Sequence, residues 1–548
     1  MKNSERKLCV MLDCSRDAVP NLPFLKTFID DIAKMGYNSL MLYTEDTYKI
    51  EGEDYFGYLR GAFTAGEMKE INAYGKTKGI ELIPCIQTLA HLGCLAPWYP
   101  YSEFFDCNDI LLVGDDRTYA LIDKMFRTMR DCFDSEYINI GMDEAHFVGL
   151  GKYLAKNGYK NRLDILLEHL NKVCKIAEKY NFKPVMWSDM FFSLVKASYR
   201  SDKFVEFPQD ALGKVPENVA LCYWDYYSKG ETVYDAMISS HKQFKNEVWF
   251  AGGCWCWSGF APCNFNSLEA NSYAIPVCEK YGIKNVIMTL WGDNGHETSK
   301  LANYPSLFHA AMLYNGVTDM KVIDSKFTEL FGLTMEEALV LDKPNHIYQN
   351  LSLENFEDSK TYNPCKYMLY NDCFLGWHDS NVTADGAERY KKYAEELKKY
   401  VKNEKFGYVY DTLYRLCLVL EDKFDLGVKT RAAYRTFKAG NKKELENLIA
   451  VYEALPEKIE SFYLAFRKQW FCENKGCGFE VQDARIGGLI LRIKDCTVRL
   501  KELLDEKIDI IDELELEILP PYNDPEKFGT GECFNSYMRN YTTGQNFV

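Results

Sequence analysis

The sequence has little positive charge for its length. It carries 65 Lys and Arg residues against 80 Asp and Glu residues, which gives a formal net charge of −15 at pH 7. A protein that binds nucleic acid phosphates or an anionic membrane surface normally needs a basic patch. The charge balance therefore argues against nucleic acid and membrane partners and favours a neutral or weakly charged ligand.

Long apolar runs are also missing near the N-terminus, where the segment MKNSERKLCVMLD shows none after its charges. A secretory signal or a transmembrane helix requires such a run, so neither is predicted. The 19 cysteines lie mostly inside apolar segments rather than in a loop-rich framework. We therefore expect reduced core thiols and a cytoplasmic protein.

Motifs for metals and cofactors are absent as well. Cys254 with Cys256, and Cys472 with Cys477, each lack the second pair that a structural zinc site needs. There is no P-loop and no dinucleotide fingerprint placed between a strand and a helix. The sequence thus predicts neither a metal nor a cofactor.

The 548 residues, 47% of them hydrophobic, are enough for a large core and for two or three domains. Short apolar runs that favour strands alternate with helical spacing, such as Leu163, Leu166, Leu167 and Leu170, over about the first 315 residues. The eight runs are 8–13, 38–43, 80–86, 136–141, 183–187, 218–224, 247–252 and 284–290. Such repetition predicts an α/β fold, a (β/α)8 TIM barrel, with a doubly wound open sheet as the alternative.

Beyond residue 316 the strand pattern fades and charged amphipathic helices follow. They are predicted at 386–402, 407–437, 442–470 and 482–518. We therefore predict a catalytic barrel over 1–315 and a mainly α-helical C-terminal domain over 316–548. The broad apolar stripe of the last helix would pack on the barrel, on sister helices or on another subunit, so a homodimer is compatible with it.

Two adjacent carboxylates, Asp143 and Glu144, follow the fourth predicted strand in YINIGMDEAHFVGLG. Acidic residues after a strand often cap the next helix or lie in solvent. In barrels, however, this end of the strands forms the active site. Aromatic residues at other strand ends strengthen the second interpretation, because aromatic walls with fixed carboxylates and an Arg suit the faces and hydroxyls of a sugar. The tryptophans concerned are Trp187, Trp224, Trp255, Trp257 and Trp291.

These segments together resemble glycoside hydrolase family 20, the β-N-acetylhexosaminidases, and within it the bacterial members that lack an accessory domain ahead of the barrel. The resemblance covers the whole barrel in the expected order. It runs through DCSRDAVP, GYNSLMLYTEDTY, FGYLRGAFT, IELIPCIQTLAHL, INIGMDEAH and MTLWGDNG. IGMDEAH is the most specific of them.

The resemblance implies a retaining, exo-acting enzyme whose substrate's own 2-acetamido oxygen attacks the anomeric carbon. Glu144 would protonate the leaving oxygen and later activate water, which calls for a pKa raised by burial or by the nearby charge of Asp143. Asp143 would hold the acetamido N–H and stabilise an oxazolinium ion intermediate. The implied partner is an N-acetylhexosamine-terminated oligosaccharide or glycoconjugate carrying GlcNAc or GalNAc.

The resemblance also implies a set of substrate-binding residues. Arg16 would bind sugar hydroxyls with Asp293, although the family more often has Glu at the latter position. His91 would lie near the catalytic acid, in PCIQTLAH rather than the usual PEIDxPGH, or serve only as a structural group. Tyr226 would replace a tyrosine that has no clean counterpart in AGGCWCWSGF. Trp187 and Trp224 would wall the acetamido pocket, and Trp291, two residues before Asp293, matches another tryptophan of the family. Trp255 is a further candidate for substrate binding because it lies just beyond a predicted strand end.

Three further possibilities stay open from the residues alone. Glu45 and Asp46 could contact substrate or anchor the second loop, with Arg60 as an ion-pair partner. A conventional glycosidase could use two separated carboxylates, Glu144 with Asp225 or Asp293, and would need no acetamido group. A non-catalytic sugar-binding barrel is the third, because a fold does not guarantee an activity.

Overall fold

The computed structural model describes residues 6–257 and 259–519. Eight parallel strands close into a barrel, and we number them β1 to β8 in chain order. Each pairs with its neighbours in the sequence, and β8 pairs with β1. The strands are Lys7–Asp13, Ser39–Tyr43, Glu81–Cys85, Tyr137–Asn139, Lys183–Trp187, Ala220–Trp224, Val248–Gly253 and Asn285–Leu290. The predicted TIM barrel is confirmed, and each predicted run overlaps one strand, with β1 and β7 each extending one residue beyond its run.

The barrel strands are apolar on both faces because each face meets a packed layer. Alternate residues such as Met11, Met41 and Val185 point into the barrel and form a core of their own. Their neighbours in the strand, such as Val10 and Leu40, join the larger core beneath the helices. Tyr43 and Trp187, the last residues of β2 and β5, belong to this inner core and lie directly beneath the loops that follow the strands.

A helix follows each strand and covers the outside of the barrel. These helices span Leu22–Met35, Ala65–Thr77, Asp116–Cys132, Arg162–Lys179, Asp189–Leu194, Glu231–His241, Asn264–Lys280 and Tyr304–Tyr314. Shorter helices lie at Tyr99–Ser102, Lys152–Asn157 and Gln209–Leu212, and a small antiparallel hairpin joins Phe105–Cys107 to Ile110–Leu111. The leucines predicted at helical spacing are buried on the inner face of Arg162–Lys179.

The region after the barrel is helical, as the amphipathic patterns predict. Its helices are Met320–Phe331, Met335–Leu339, Pro364–Tyr370, Gly386–Leu397, Gly407–Lys423, Leu426–Lys438, Lys443–Glu473, Phe479–Leu504 and Asp512–Glu515. The last part of the predicted second domain, 520–548, lies outside the described residues. The boundary at 315 and the homodimer stay predictions.

None of the described helices combines the length and the apolar character that a membrane-crossing segment needs. Within the same residues, the 18 cysteines are all free thiols. No group of three or more His, Cys, Asp or Glu side chains in this part of the chain is placed to hold a metal ion. The cytoplasmic location stays a prediction.

Candidate active site

A small pocket lies at the carboxyl end of the strands, where barrel enzymes build their active sites. Its cavity measures about 80 Å³, so it takes one small ligand rather than a long chain. Nine of the ten residues predicted for the site line it, together with three others. The lining is Arg16, Tyr43, His91, Asp143, Glu144, Trp187, Trp224, Tyr226, Tyr227, Trp257, Trp291 and Asp293.

Trp255 is the predicted residue that the pocket leaves out. Its ring stacks on Trp257 with a centroid distance of 4.2 Å and an interplanar angle of 29°, and Trp257 is the one that faces the cavity. The strand β7 ends at Gly253, so both tryptophans lie in irregular chain where sequence spacing does not show which side chain points inward. Trp255 therefore supports the wall from behind instead of forming it.

The remaining aromatic rings form a connected wall. Trp224 stacks on Tyr226 at 5.3 Å, and Tyr226 meets Trp257 edge-on at 5.5 Å. Trp291 in turn contacts Trp187 at 6.0 Å and Tyr43 at 4.8 Å. Rings fixed on one another in this way keep their orientation without a ligand, which suits stacking against the C–H face of a sugar.

The two adjacent carboxylates lie on a strained loop. Gly141, Met142 and Glu144 all have left-handed backbone angles, with φ of 71°, 71° and 49°. A side chain at Gly141 is excluded, because a Cβ atom there would lie 2.0 Å from Oε1 of Gln87. Strain of this kind at non-glycine residues persists only where the surroundings enforce it, and it concentrates at functional sites.

Gln87 is one of the residues that enforce this loop. Its side-chain oxygen accepts the N–H of Met142 at 3.1 Å, and its amide nitrogen donates to Oδ1 of Asp143 at 2.7 Å. The same amide donates to the hydroxyl of Tyr43 at 2.9 Å. Asp143 is thereby held with one carboxylate oxygen, Oδ2, left for other partners.

Asp189 holds the other end of the loop. Its Oδ2 accepts the backbone N–H of Glu144 at 2.9 Å, and its Oδ1 accepts the indole N–H of Trp224 at 3.3 Å. Burial, followed by the charge of Asp143, raises the pKa of Asp189 to about 7. The side chain of Glu144 itself is half exposed, so it faces the opening while its backbone is fixed.

His91 pairs with both catalytic candidates. Its Nε2 lies 3.3 Å from Oδ2 of Asp143 and 3.6 Å from Oε2 of Glu144, and its backbone N–H donates to Asp109 at 3.0 Å. Burial lowers the pKa of His91, but the charge of Asp143, its hydrogen bond and the charge of Glu45 together outweigh burial and raise this pKa to about 10. Burial likewise raises the pKa of Asp143, but His91 and Gln87 outweigh it and hold that pKa below its usual value.

The pair makes part of the stability depend on pH. Because the folded pKa of His91 lies above the ordinary 6.5, its stabilising contribution is complete below pH 6.5 and is lost as pH rises through about 10. The free energy of unfolding should therefore fall more steeply between pH 6.5 and 10 in the wild type than in His91→Gln. The difference should be on the order of 1–3 kcal/mol, the range for a bond to a charged group.

Urea unfolding at stepped pH measures this contribution directly. His309→Gln is the matched control, because burial lowers the pKa of His309 to about 4 and the residue stays neutral across the whole window. In this variant the free energy of unfolding should change with pH as it does in the wild type. If the free energy of unfolding of His91→Gln also changes with pH as in the wild type, His91 and Asp143 do not form an ion pair.

Arg16, which follows β1, lies among carboxylates at the pocket. Its Nη2 is 3.3 Å from Oε1 of Glu45, and its Nε is 4.0 Å from Oδ2 of Asp13. Asp13 also accepts the N–H of Gly292 at 2.8 Å and so ties β1 to the loop after β8. Burial, opposed by Arg16, raises the pKa of Asp293 to about 6.

These contacts bear on two open questions from the sequence. Asp46 pairs with Arg60 at 3.2 Å and anchors the second loop, whereas Glu45 pairs with Arg16. Asp225 does not line the pocket. Its carboxylate accepts the backbone N–H groups of Tyr227 and Ser228 at 2.9 and 3.0 Å, besides two hydroxyls, so it fixes a loop and is a poor partner for Glu144.

The loop after β8, which carries Trp291 and Asp293, is held by the helical region. Glu297 forms buried ion pairs with Lys366 at 2.5 Å and with Arg485 at 3.1 Å. Both cations also donate to the carbonyl of Asn294, at 3.3 and 2.7 Å. The two sides of the predicted boundary at 315 thus share one buried ionic cluster directly behind the pocket.

Comparison with known families gives two matches on this chain. A family described as "Glycosyl hydrolase family 20, catalytic domain" matches residues 9–242, and one described as "Glycoside Hydrolase 20C C-terminal domain" matches residues 338–532. The two matches fall on either side of the predicted boundary and together span most of the chain.

Individual relatives are more distant. Human "Hexosaminidase D" is 23% identical over 224 residues, which is 38% of this chain and 43% of that protein. A "Beta-hexosaminidase" of Akkermansia muciniphila is 29% identical over 168 residues, covering 25% and 34%. The chain spans less than two thirds of the length of these curated relatives. The solved structure of a GH20 exo β-N-acetylglucosaminidase from Vibrio harveyi shares 14% identity and a TM-score of 0.45, covering 60% of this chain and 58% of that one.

Proposed function

Because the chain belongs to glycoside hydrolase family 20, we propose that it is an exo-acting, retaining β-N-acetylhexosaminidase that releases terminal GlcNAc or GalNAc. The observation that carries the proposal is the geometry of the acid loop. A buried, ionised Asp143 lies beside a half-exposed Glu144 in a pocket with aromatic walls. This arrangement offers one carboxylate to a bound group and the other to a leaving group.

The reaction starts with the substrate's own acetamido group. Asp143 accepts the acetamido N–H through the oxygen that Gln87 leaves free, and so aims the carbonyl oxygen at the anomeric carbon. A bond forms between that oxygen and C1 while the glycosidic C1–O bond breaks. Glu144 gives its proton to the departing oxygen, which leaves as an alcohol.

The intermediate is an oxazolinium ion, whose positive charge the carboxylate of Asp143 balances at close range. Water then attacks C1, and Glu144 takes the proton that this water loses. The oxazoline ring opens, the acetamido group is restored, and the sugar leaves with its β configuration retained. Glu144 ends the cycle protonated, so the proton balance closes without a cofactor.

The substrate is held by residues around this centre. Arg16 and Asp293, which both line the pocket, provide a donor and an acceptor for ring hydroxyls. Tyr226 and Trp257 line the same pocket together with Trp187 and Trp224. The small cavity fits a single terminal sugar, which supports exo cleavage.

A three-substrate assay tests the proposal. The wild type is expected to hydrolyse an aryl β-N-acetylglucosaminide or β-N-acetylgalactosaminide at least about 10³-fold faster than the matching aryl β-glucoside. The reason is that the glucoside lacks the intramolecular nucleophile, whose orientation can be worth roughly 7–11 kcal/mol. Equal rates on the glucoside would favour the conventional two-carboxylate mechanism, and no turnover on any of the three would favour a binding protein.

A further inference from the structure

A second cavity of about 380 Å³ adjoins the catalytic pocket and shares two residues with it, Glu144 and Trp224. Under the proposed function, the proton of Glu144 goes to the glycosidic oxygen. The terminal sugar occupies the first cavity, and so the leaving group has to lie on the other side of Glu144. The second cavity is the space available to it there.

Arg200 contributes a positive charge to this second cavity. Its guanidinium carbon lies 3.8 Å from the ring centroid of Tyr227 and 5.9 Å from that of Trp224, and both rings line the catalytic pocket. Stacking uses the face of the guanidinium and leaves its in-plane N–H donors free. Among the described side chains no carboxylate lies within 4 Å of Arg200, although acids outnumber basic residues 80 to 65.

Among the described residues, none of the other polar side chains that line the cavity forms an ion pair with Arg200. His146 lies with its Nδ1 3.5 Å from Oγ of Ser193 on the same wall. Asp189 also faces the cavity, but its two oxygens already accept the N–H groups of Glu144 and Trp224. Glu144 has to carry its proton when a substrate is cleaved. The group that remains for an incoming leaving group is therefore the cation of Arg200.

We propose that the second cavity is an aglycone subsite for a leaving group that carries an anion, a carboxylate or a sulfate ester, bound by Arg200. This rests on the proposed function. The planar fork of an arginine matches both kinds of oxyanion through two parallel hydrogen bonds. The substrates would be N-acetylhexosamines linked to a uronic acid or to a sulfated sugar.

Three disaccharides with the same β-linked GlcNAc and the same linkage test the subsite. Their second sugars are glucuronate, glucose 6-sulfate and glucose. The first carries its anion as the C6 carboxylate, the second as a sulfate ester on O6, and the third carries none, so only position 6 differs. We expect kcat/KM for at least one anionic disaccharide to exceed that for the neutral one by about tenfold, equivalent to 1.4 kcal/mol. The preference should shrink as salt is added, because a solvent-facing ion pair is screened, and the better of the two anions identifies the source.

The ratio of anionic to neutral kcat/KM is the readout for variants, so a general loss of activity cancels. Arg200→Met should bring the ratio to about one, and Arg200→Lys should keep part of it. Arg467→Met is the matched control, because Arg467 is likewise exposed, lies 4.6 Å over the ring of Phe471 in the helix Lys443–Glu473, and lines neither cavity. This control should leave the ratio unchanged.

Two outcomes overturn the subsite. They are equal cleavage of all three disaccharides by the wild type, or an anionic preference that survives in Arg200→Met. If neither the disaccharides nor an aryl β-N-acetylhexosaminide are hydrolysed, the proposed function itself fails. An aryl substrate that is cleaved while the anionic preference is absent removes only the subsite.

Discussion

Glu144→Gln is expected to lower kcat by about 10³-fold for a β-N-acetylglucosaminide with a sugar or alkyl leaving group, within the 10²–10⁴ range of general acid catalysis. The substitution keeps the shape of the side chain and removes the proton that the glycosidic oxygen needs as the C1–O bond breaks. The backbone of residue 144 stays fixed by Asp189 at 2.9 Å, so the loss reports on the proton rather than on the position of the loop.

The dependence on the leaving group separates this role from a structural one. A nitrophenolate leaves without being protonated, so the loss in Glu144→Gln should be much smaller for the nitrophenyl substrate than for a disaccharide. Glu168→Gln is the control, since Glu168 is an exposed residue that pairs with Lys172 at 3.0 Å on the helix Arg162–Lys179. A loss in Glu144→Gln that is the same for both leaving groups would contradict the assignment of Glu144 as the acid.

Asp143→Asn is expected to have an effect of similar size, about 10³-fold in kcat, and to act only on substrates that have an acetamido group. The neutral amide can still accept the hydrogen bond from Gln87, so the loop geometry is kept. It cannot balance the positive charge of the oxazolinium ion, and it loses the attraction of the protonated His91 at 3.3 Å. Orientation and charge stabilisation of the nucleophile both weaken.

The plain aryl β-glucoside is the internal control for Asp143→Asn. It has no acetamido group to orient, so its slow hydrolysis should change by less than about threefold, equivalent to about 0.65 kcal/mol in the activation barrier. The two rates are measured on the same enzyme preparation, which removes differences in folding. An equal loss on both substrates would instead indicate that Asp143 is itself the nucleophile that bonds to the sugar.

Much of the fold could be predicted from the sequence because a barrel imposes a strong pattern. Strands covered on both faces have to be apolar throughout, and each of the eight, such as LCVMLD at β1, stands out between helical stretches. The hairpin Phe105–Cys107 to Ile110–Leu111 could not be predicted. It is only a few residues long, and its chain segment shows no periodicity that distinguishes a strand from a turn.

The candidate site could be predicted only in part, for a related reason. Asp143, Glu144 and Arg16 could be predicted because they follow barrel strands, at the end where barrels build their active sites. Gln87 and Asp189 were missed, although both follow barrel strands, because their roles depend on left-handed backbone angles that the sequence does not reveal. The prediction of Trp255 in place of Trp257 was wrong for the same reason. Which of the two stacked rings faces the cavity depends on the path of an irregular loop, and the sequence does not show that path.

The ionic cluster behind the β8 loop bears on how the two halves of the chain can change over time. Glu297 is fully buried between Lys366 and Arg485, and removing one partner of a buried pair leaves an uncompensated charge, at a cost of about 3–5 kcal/mol. Substitutions at Glu297, Lys366 or Arg485 are therefore each constrained by the other two residues. A substitution on the helices Pro364–Tyr370 or Phe479–Leu504 can shift Trp291 and Asp293, and so alter which sugar is accepted, without touching the sugar. We therefore expect the helical region and the barrel to evolve together, and not to be exchanged between proteins as separate modules.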